Sequence, residues 1–263
     1  MQMFRGQNLV RHHSYQRTLW CVALVLGCTL LMLWIATSAR AQNLPIFPNI
    51  DAVLLIDNSG SMTTSDPDEL RIHATQFLLG YLRTNATSQG ANYRVSIANF
   101  GGRMGNTFSL QLLQDDSLQN SLHSERINGT EFVEPLKYAI NELRQKSDPQ
   151  TKKVVVLITD GQPGPEGRAL EGEELQRYFD DKLAPLSQEL KAMDAKLFVL
   201  AIGDARQDRQ RWSALIGDSY RPVANIADLN DIFHEIFNTM MGLDPTQALE
   251  LSSTGVAIPS PKS

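Results

Sequence analysis

The sequence predicts an α/β fold: a doubly wound, mostly parallel sheet with one antiparallel edge strand and helices on both faces. Three observations predict it. Strand-like and helix-like hydrophobic patterns alternate from Ile50 to Met241, as in repeated βαβ units. The runs VVVLI (154–158) and LFVLAI (197–202) are continuously apolar, as parallel strands covered on both faces must be. A six-residue loop, GGRMGN, separates Phe100 from Thr107, so those two strands are expected to pair as a hairpin.

Taken in order, the expected strands are Ala52–Ile56, Tyr93–Phe100, Thr107–Leu113, Lys153–Thr159 and Lys196–Ala201, with a weaker sixth at Tyr220–Val223. The first helix is expected to open at Asp66-Pro67-Asp68-Glu69, an N-cap, a proline at the first helical position and an acid at the third. Its core face reads Leu70, Ala74, Phe77, Leu78, Tyr81 and Leu82. A short helix is expected near Asp116–Ser124 and another at Glu131–Gln145, with Phe132, Leu136, Ile140 and Leu143 on one face. A longer helical region runs from Gly172 to Ala195, and Pro185 should break or restart it. Further helices are expected at Asp208–Ile216 and Asp228–Met241; the latter carries an apolar stripe at spacings of three and four.

The chain has 263 residues, of which 42% are hydrophobic, enough for one sizeable domain with accessory segments. Arg5, Arg11, Arg17 and Arg40 lie within residues 1–41, which hold no acidic residue, so the body is more acidic than the whole-chain charge of −5. An acidic body argues against a nucleic-acid partner. Both cysteines, Cys21 and Cys28, lie in the N-terminal apolar run, so the body has no disulfide, thiolate metal site or cysteine nucleophile.

That run, residues 18–36, follows three arginines and precedes Ala39-Arg40-Ala41. It reads either as a cleaved export signal or as a membrane anchor. In both cases the arginines stay cytoplasmic and the body is exported. The expected organisation is a basic segment at 1–17, the signal or anchor at 18–41, a linker at 42–48, one domain at 49–242 and a flexible tail at 243–263.

The stretch VLLIDNSGSM (53–62) ends an apolar strand with three oxygen-bearing side chains at alternate positions: Asp57, Ser59 and Ser61. Alternate residues of an extended chain point the same way, so their oxygens can converge. Such oxygens are hard ligands for Mg²⁺, Mn²⁺ or Ca²⁺. The plainer reading is a polar turn that starts a helix. Two further places bear on the choice. ITDGQPG (158–164) is a second strand ending in a carboxylate, Asp160, and INGTEFVEPL (127–136) places Thr130 before an amphipathic helix. Each also has an ordinary explanation: a turn at Asp160-Gly161, and a helix cap from Thr130 to the Val133 N–H. Adjacent parallel strands share one rim, however, which would bring Asp57 and Asp160 together.

With these residues in place, the body resembles a von Willebrand factor type A domain. That family's metal-ion-dependent adhesion site consists of a D-x-S-x-S run, a distant threonine and a distant aspartate. Asp57-Asn58-Ser59-Gly60-Ser61, Thr130 and Asp160 match it in order. The resemblance implies that Ser59, Ser61 and Thr130 bind the metal directly, while Asp57 and Asp160 act mostly through waters. It implies Mg²⁺, with Mn²⁺ or Ca²⁺ as alternatives. Neutral hydroxyls leave the ion's charge poorly compensated, so an open position favours a carboxylate from a partner protein. The expected function is metal-dependent protein binding, in adhesion or in complex assembly outside the cytoplasmic membrane, without enzymatic activity. A structural role for the metal is one alternative. A metal-dependent hydrolase is another, although no His or Lys is tied to the motif as a base.

Overall fold

Strand β1 (Ile50–Asp57) is buried along its whole length because it runs through the middle of the sheet. The structure, a computed structural model, describes residues 48–89, 91–113, 118, 122, 126–202 and 208–241. The N-terminal apolar segment, nearly all of the linker, the tail and most of the expected 116–124 helix lie outside the described residues.

After β1 come a short helix α1 (Met62–Ser65), α2 (Leu70–Gln89), β2 (Tyr93–Phe100), β3 (Met104–Leu112) and α3 (Val133–Lys146). Then follow β4 (Lys152–Thr159), α4 (Gly172–Arg177), a π-helical segment (Tyr178–Leu183) and α5 (Ala184–Ala192). The described chain closes with β5 (Ala195–Ile202), α6 (Arg209–Ile216), a 3₁₀ turn, β6 (Tyr220–Val223) and α7 (Ile226–Met241). The strand order is β3-β2-β1-β4-β5-β6. Every pairing is parallel except β2 with β3 at the edge.

β1 pairs with β2 on one side and with β4 on the other; Asp57 aligns with Phe100, and Ile56 with Ile158. The chain winds outward from β1 to β3 and then returns across β1 to form β4. The point where the winding reverses therefore lies between the carboxyl ends of β1 and β4, where such sheets leave a crevice.

The alternation of β1 builds two cores. Ile50, Ala52, Leu54 and Ile56 pack with the α2 and α7 side, where Phe77 stacks on Phe233 at 5.8 Å and Tyr81 meets Phe237 edge-on at 5.0 Å. Val53 and Leu55 face α3, α5 and α6. There Phe132 touches Phe100 at 5.9 Å and Trp212 at 5.5 Å, and Trp212 touches Phe179 at 5.1 Å. At the far end of β1, buried Asp51 takes both a 2.7 Å and a 2.6 Å bond from Arg94, so the charge is paired where it leaves water.

Three expected boundaries are corrected. β3 begins at Met104 rather than Thr107, so the hairpin turn is Gly101–Arg103, closed by the Gly101 N–H donating to the Arg103 carbonyl at 3.0 Å. Two register shifts then let this edge strand follow β2. α2 begins at Leu70, not at Pro67. Glu69 adopts a left-handed φ of 53°, and the Asp66 carboxylate accepts the N–H groups of Leu70 (2.5 Å) and Arg71 (3.2 Å). α3 begins at Val133, two residues later than expected, for a reason given below. The helical region restarts at Pro185 as expected. The proline sits in the first turn of α5, and the turn before it widens to π geometry, which re-spaces the bonds that a residue without an N–H cannot complete.

Candidate metal centre

Asp57 ends β1 and is fully buried. Oδ1 accepts the Ser59 N–H at 2.8 Å, a local turn closed by the side chain. Oδ2 accepts the Thr159 hydroxyl at 2.6 Å. Burial pushes the Asp57 carboxyl up to about 7 and the charge of Asp160 adds to the rise, while the bonds from Thr159 and Ser59 oppose it.

The residue between, Asn58, points the other way, into a buried polar network. Its Oδ1 accepts Arg71 Nε at 3.1 Å and its Nδ2 donates to Asn99 Oδ1 at 3.0 Å. Arg71 also pairs with Asp66 at 2.7 Å, and both side chains are nearly inaccessible to solvent. The network pins the loop from behind and leaves the odd-numbered side chains on the rim.

Ser59 Oγ and Ser61 Oγ lie 3.0 Å apart, and Ser61 Oγ donates to Asp160 Oδ1 at 3.1 Å. The Ser65 hydroxyl, on α1, donates to Asp160 Oδ2. Asp160 reaches this point because β4 runs in register with β1. Thr130 arrives on a loop tied down by backbone bonds. Ile127 N–H donates to the Asn58 carbonyl at 2.9 Å, and Thr130 exchanges backbone bonds of 2.9 and 2.8 Å with Gly164. Glycines permit this close approach. A Cβ at Gly102 would lie 2.2 Å from the Asn128 carbonyl oxygen, and Gly129 combines a φ of +79° with a would-be contact of 2.7 Å to the Pro165 oxygen.

Thr130 does not cap α3. The Val133 N–H donates to Glu131 Oε1 at 2.7 Å instead. This delays the helix to Val133, and the Thr130 hydroxyl has no hydrogen-bond partner among the described residues.

Ser59, Ser61, Ser65, Thr130, Asp160 and Asp208 line one cleft of about 750 Å³. Asp57 lies behind its wall. All five residues singled out in the sequence therefore gather at this rim, four on the cleft and one beneath it. The donors suit a hard divalent cation: hydroxyl and carboxylate oxygens, two of the carboxylates repelling each other, and one hydroxyl uncommitted. Among the described residues no cluster of three or more His, Cys, Asp and Glu offers a competing metal site.

Sequence reasoning missed Thr159, Ser65, Arg71, Asn99, Glu131 and Asp208. Thr159 could have been suspected as the neighbour of Asp160, and Ser65 from its spacing of four from Ser61. Nothing local marks Arg71 or Asn99, whose roles exist only across the tertiary fold.

Residues 51–239 match the family model described as von Willebrand factor type A domain. No curated protein sequence matches the chain. Among solved structures, the chain is similar to the vWF domain of the type V pili tip protein Mfa5 from Porphyromonas gingivalis. The two share 13% identity with a TM-score of 0.59, covering 76% of this chain and 97% of that one. It is also similar to the pilus adhesin SpaC from Lactobacillus rhamnosus GG, at 15% identity and TM-score 0.55, covering 76% of this chain but 30% of SpaC. Manganese-loaded Plasmodium vivax TRAP protein is similar at 16% identity and TM-score 0.52, covering 72% of this chain and 73% of that one.

Proposed function

The chain belongs to the von Willebrand factor type A domain family, and from that premise we propose that it is a metal-dependent protein-binding module of the adhesion type. Ser59, Ser61 and Thr130 would hold the cation directly, with Asp57 and Asp160 holding it mostly through waters. Mg²⁺ is the ion of choice, with Mn²⁺ and Ca²⁺ as alternatives. Bound there, the ion supplies an electrophilic position for a carboxylate oxygen. The partner is a protein that presents an Asp or Glu side chain. The domain extends over residues 49–242 and is exported, with residues 18–36 serving as signal or anchor. Among the described residues no helix is long and apolar enough to cross a membrane.

One observation carries this reading. Burial and then the nearby Asp160 carboxylate raise the proton affinity of Asp57, beside a cleft lined by four serine or threonine residues. A cation held at this rim would relieve that repulsion. SpaC, a pilus adhesin, and the manganese-loaded TRAP protein support the proposal.

Thr159 and the Ser59 N–H orient Asp57; Ser61 and Ser65 orient Asp160; the Gly164 bridge positions Thr130. The test is capture. Detergent-solubilised full chain, wild type and Thr130→Ala, is immobilised and exposed to an envelope extract of the source cells with Mg²⁺ or with EDTA. A protein retained by wild type with Mg²⁺ alone supports the proposal. Equal retention in all four conditions refutes it and leaves the metal a structural role.

A further inference from the structure

Thr130 would cap a helix that opened at Glu131, with the Val133 N–H at its third position, but α3 opens at Val133 with Phe132 in the N-cap position. The hydroxyl stays uncommitted because Glu131 caps the helix in its place, Oε1 accepting the Val133 N–H at 2.7 Å. Glu131 is itself held. The Tyr178 hydroxyl donates to the same Oε1 and accepts the Phe132 N–H at 2.9 Å. Tyr178 is 8% exposed and begins the π-helical segment, which carries its ring against the loop from a different part of the chain. Burial, then the hydrogen bond to Glu131 and that residue's negative charge, push the Tyr178 hydroxyl far above its ordinary range, so it remains a donor.

We propose that Tyr178 is a positioning residue for the metal site: by bridging the Phe132 N–H and the Glu131 carboxylate, it makes Glu131 the cap of α3 and keeps the Thr130 hydroxyl available to the cation. The inference rests on the reading of the cleft as a metal centre. Its logic is competition for one hydroxyl. A threonine that caps a helix gives its oxygen to a backbone N–H, and that oxygen then faces away from the cleft. Without the Tyr178 hydroxyl, Glu131 loses its anchor and returns toward water. The Val133 N–H then takes Thr130 Oγ1. A further tie of the loop, the Glu131 N–H on the Gly101 carbonyl at 2.8 Å, holds the backbone in place and leaves this side-chain exchange as the change that occurs.

The experiment compares Mg²⁺ affinity by calorimetry with urea stability in EDTA, using the full chain in detergent. Tyr178→Phe and Glu131→Ala should each weaken Mg²⁺ binding about tenfold, the usual scale for losing a group that orients a ligand. Glu131→Gln, which keeps the Oε1 acceptor, should bind nearly as wild type. The Tyr178→Phe, Glu131→Ala double variant should be no weaker than Glu131→Ala alone, because both act through one bond. The metal-free readout is sharper. In EDTA, Thr130→Ala should be neutral in the wild-type background and destabilising in the Tyr178→Phe background, where Thr130 has become the cap. Wild-type Mg²⁺ affinity in Tyr178→Phe, or a neutral Thr130→Ala in both backgrounds, overturns the inference. If wild type binds Mg²⁺ and Thr130→Ala does not, those results sink this inference alone. If wild type shows no Mg²⁺ binding, the metal-centre reading falls and this inference with it.

Discussion

The Ser61 hydroxyl donates to Asp160 Oδ1 at 3.1 Å, joining side chains 99 positions apart in the sequence. The bond closes the crevice between β1 and β4 at the point where the sheet's winding reverses. It places a hydroxyl and a carboxylate side by side at the rim where a divalent ion would be held, and the first prediction follows from it.

Mg²⁺ should raise the melting temperature of the wild-type chain, and EDTA should reverse the rise. At a hundred times the dissociation constant the stabilisation is about 2.7 kcal/mol, or about 5 to 10 °C for a domain of this size. Thr130→Ala and Asp160→Ala should lose the shift while remaining folded. Scanning calorimetry with and without Mg²⁺ checks this, and an unchanged shift in both variants would contradict it.

The pH dependence of the metal-free chain should carry the mark of Asp57. Its folded carboxyl titrates at about 7, above the ordinary 3.8, so the native state holds a proton that the unfolded chain releases. Stability contributed by that proton is full below about pH 4 and is lost as pH rises toward 7. The loss is on the order of 4 kcal/mol. In EDTA, wild type should therefore weaken across this range relative to Asp57→Asn, which cannot titrate there. Parallel urea midpoints for the two proteins from pH 4 to 8 would argue against it.

Arg71 should matter more than its distance from the cleft suggests. Replacing it with Met leaves the Asp66 carboxylate buried without its cation and Asn58 Oδ1 without its donor. Breaking a buried pair from one side costs about 3–5 kcal/mol. The loss should appear in urea unfolding with EDTA present. Mg²⁺ affinity should fall as well, because the D-x-S-x-S loop is no longer pinned from behind.

Gly102→Ala should disturb the Thr130 loop from the hairpin side. The added Cβ would meet the Asn128 carbonyl oxygen at 2.2 Å and the Pro165 oxygen at 2.8 Å, both backbone atoms that cannot rotate away. A destabilisation of about 1–3 kcal/mol is expected, with weaker Mg²⁺ binding. Gly161→Ala, whose Cβ would meet nothing within 4 Å, is the control and should behave as wild type on both measurements.

By itself the sequence determined the alternation of strands and helices, the antiparallel hairpin and the identity of the five rim residues. These rest on short-range physics. Apolar runs such as VVVLI and LFVLAI declare buried strands, and the spacing of Asp57, Ser59 and Ser61 follows from the two-residue period of extended chain. The tertiary structure alone decided which partners those residues keep. In sequence Thr130 reads as the cap of α3, with the Val133 N–H as its partner. The choice falls to Glu131 because Tyr178, 47 positions away, reaches it from a helical turn of different pitch. Asn58 reads as the variable position of its motif, yet it is tied to Arg71 and Asn99 on two other elements. A hydrogen bond between distant segments leaves no period in the chain, because it depends on where the sheet and helices bring those segments and not on their local pattern.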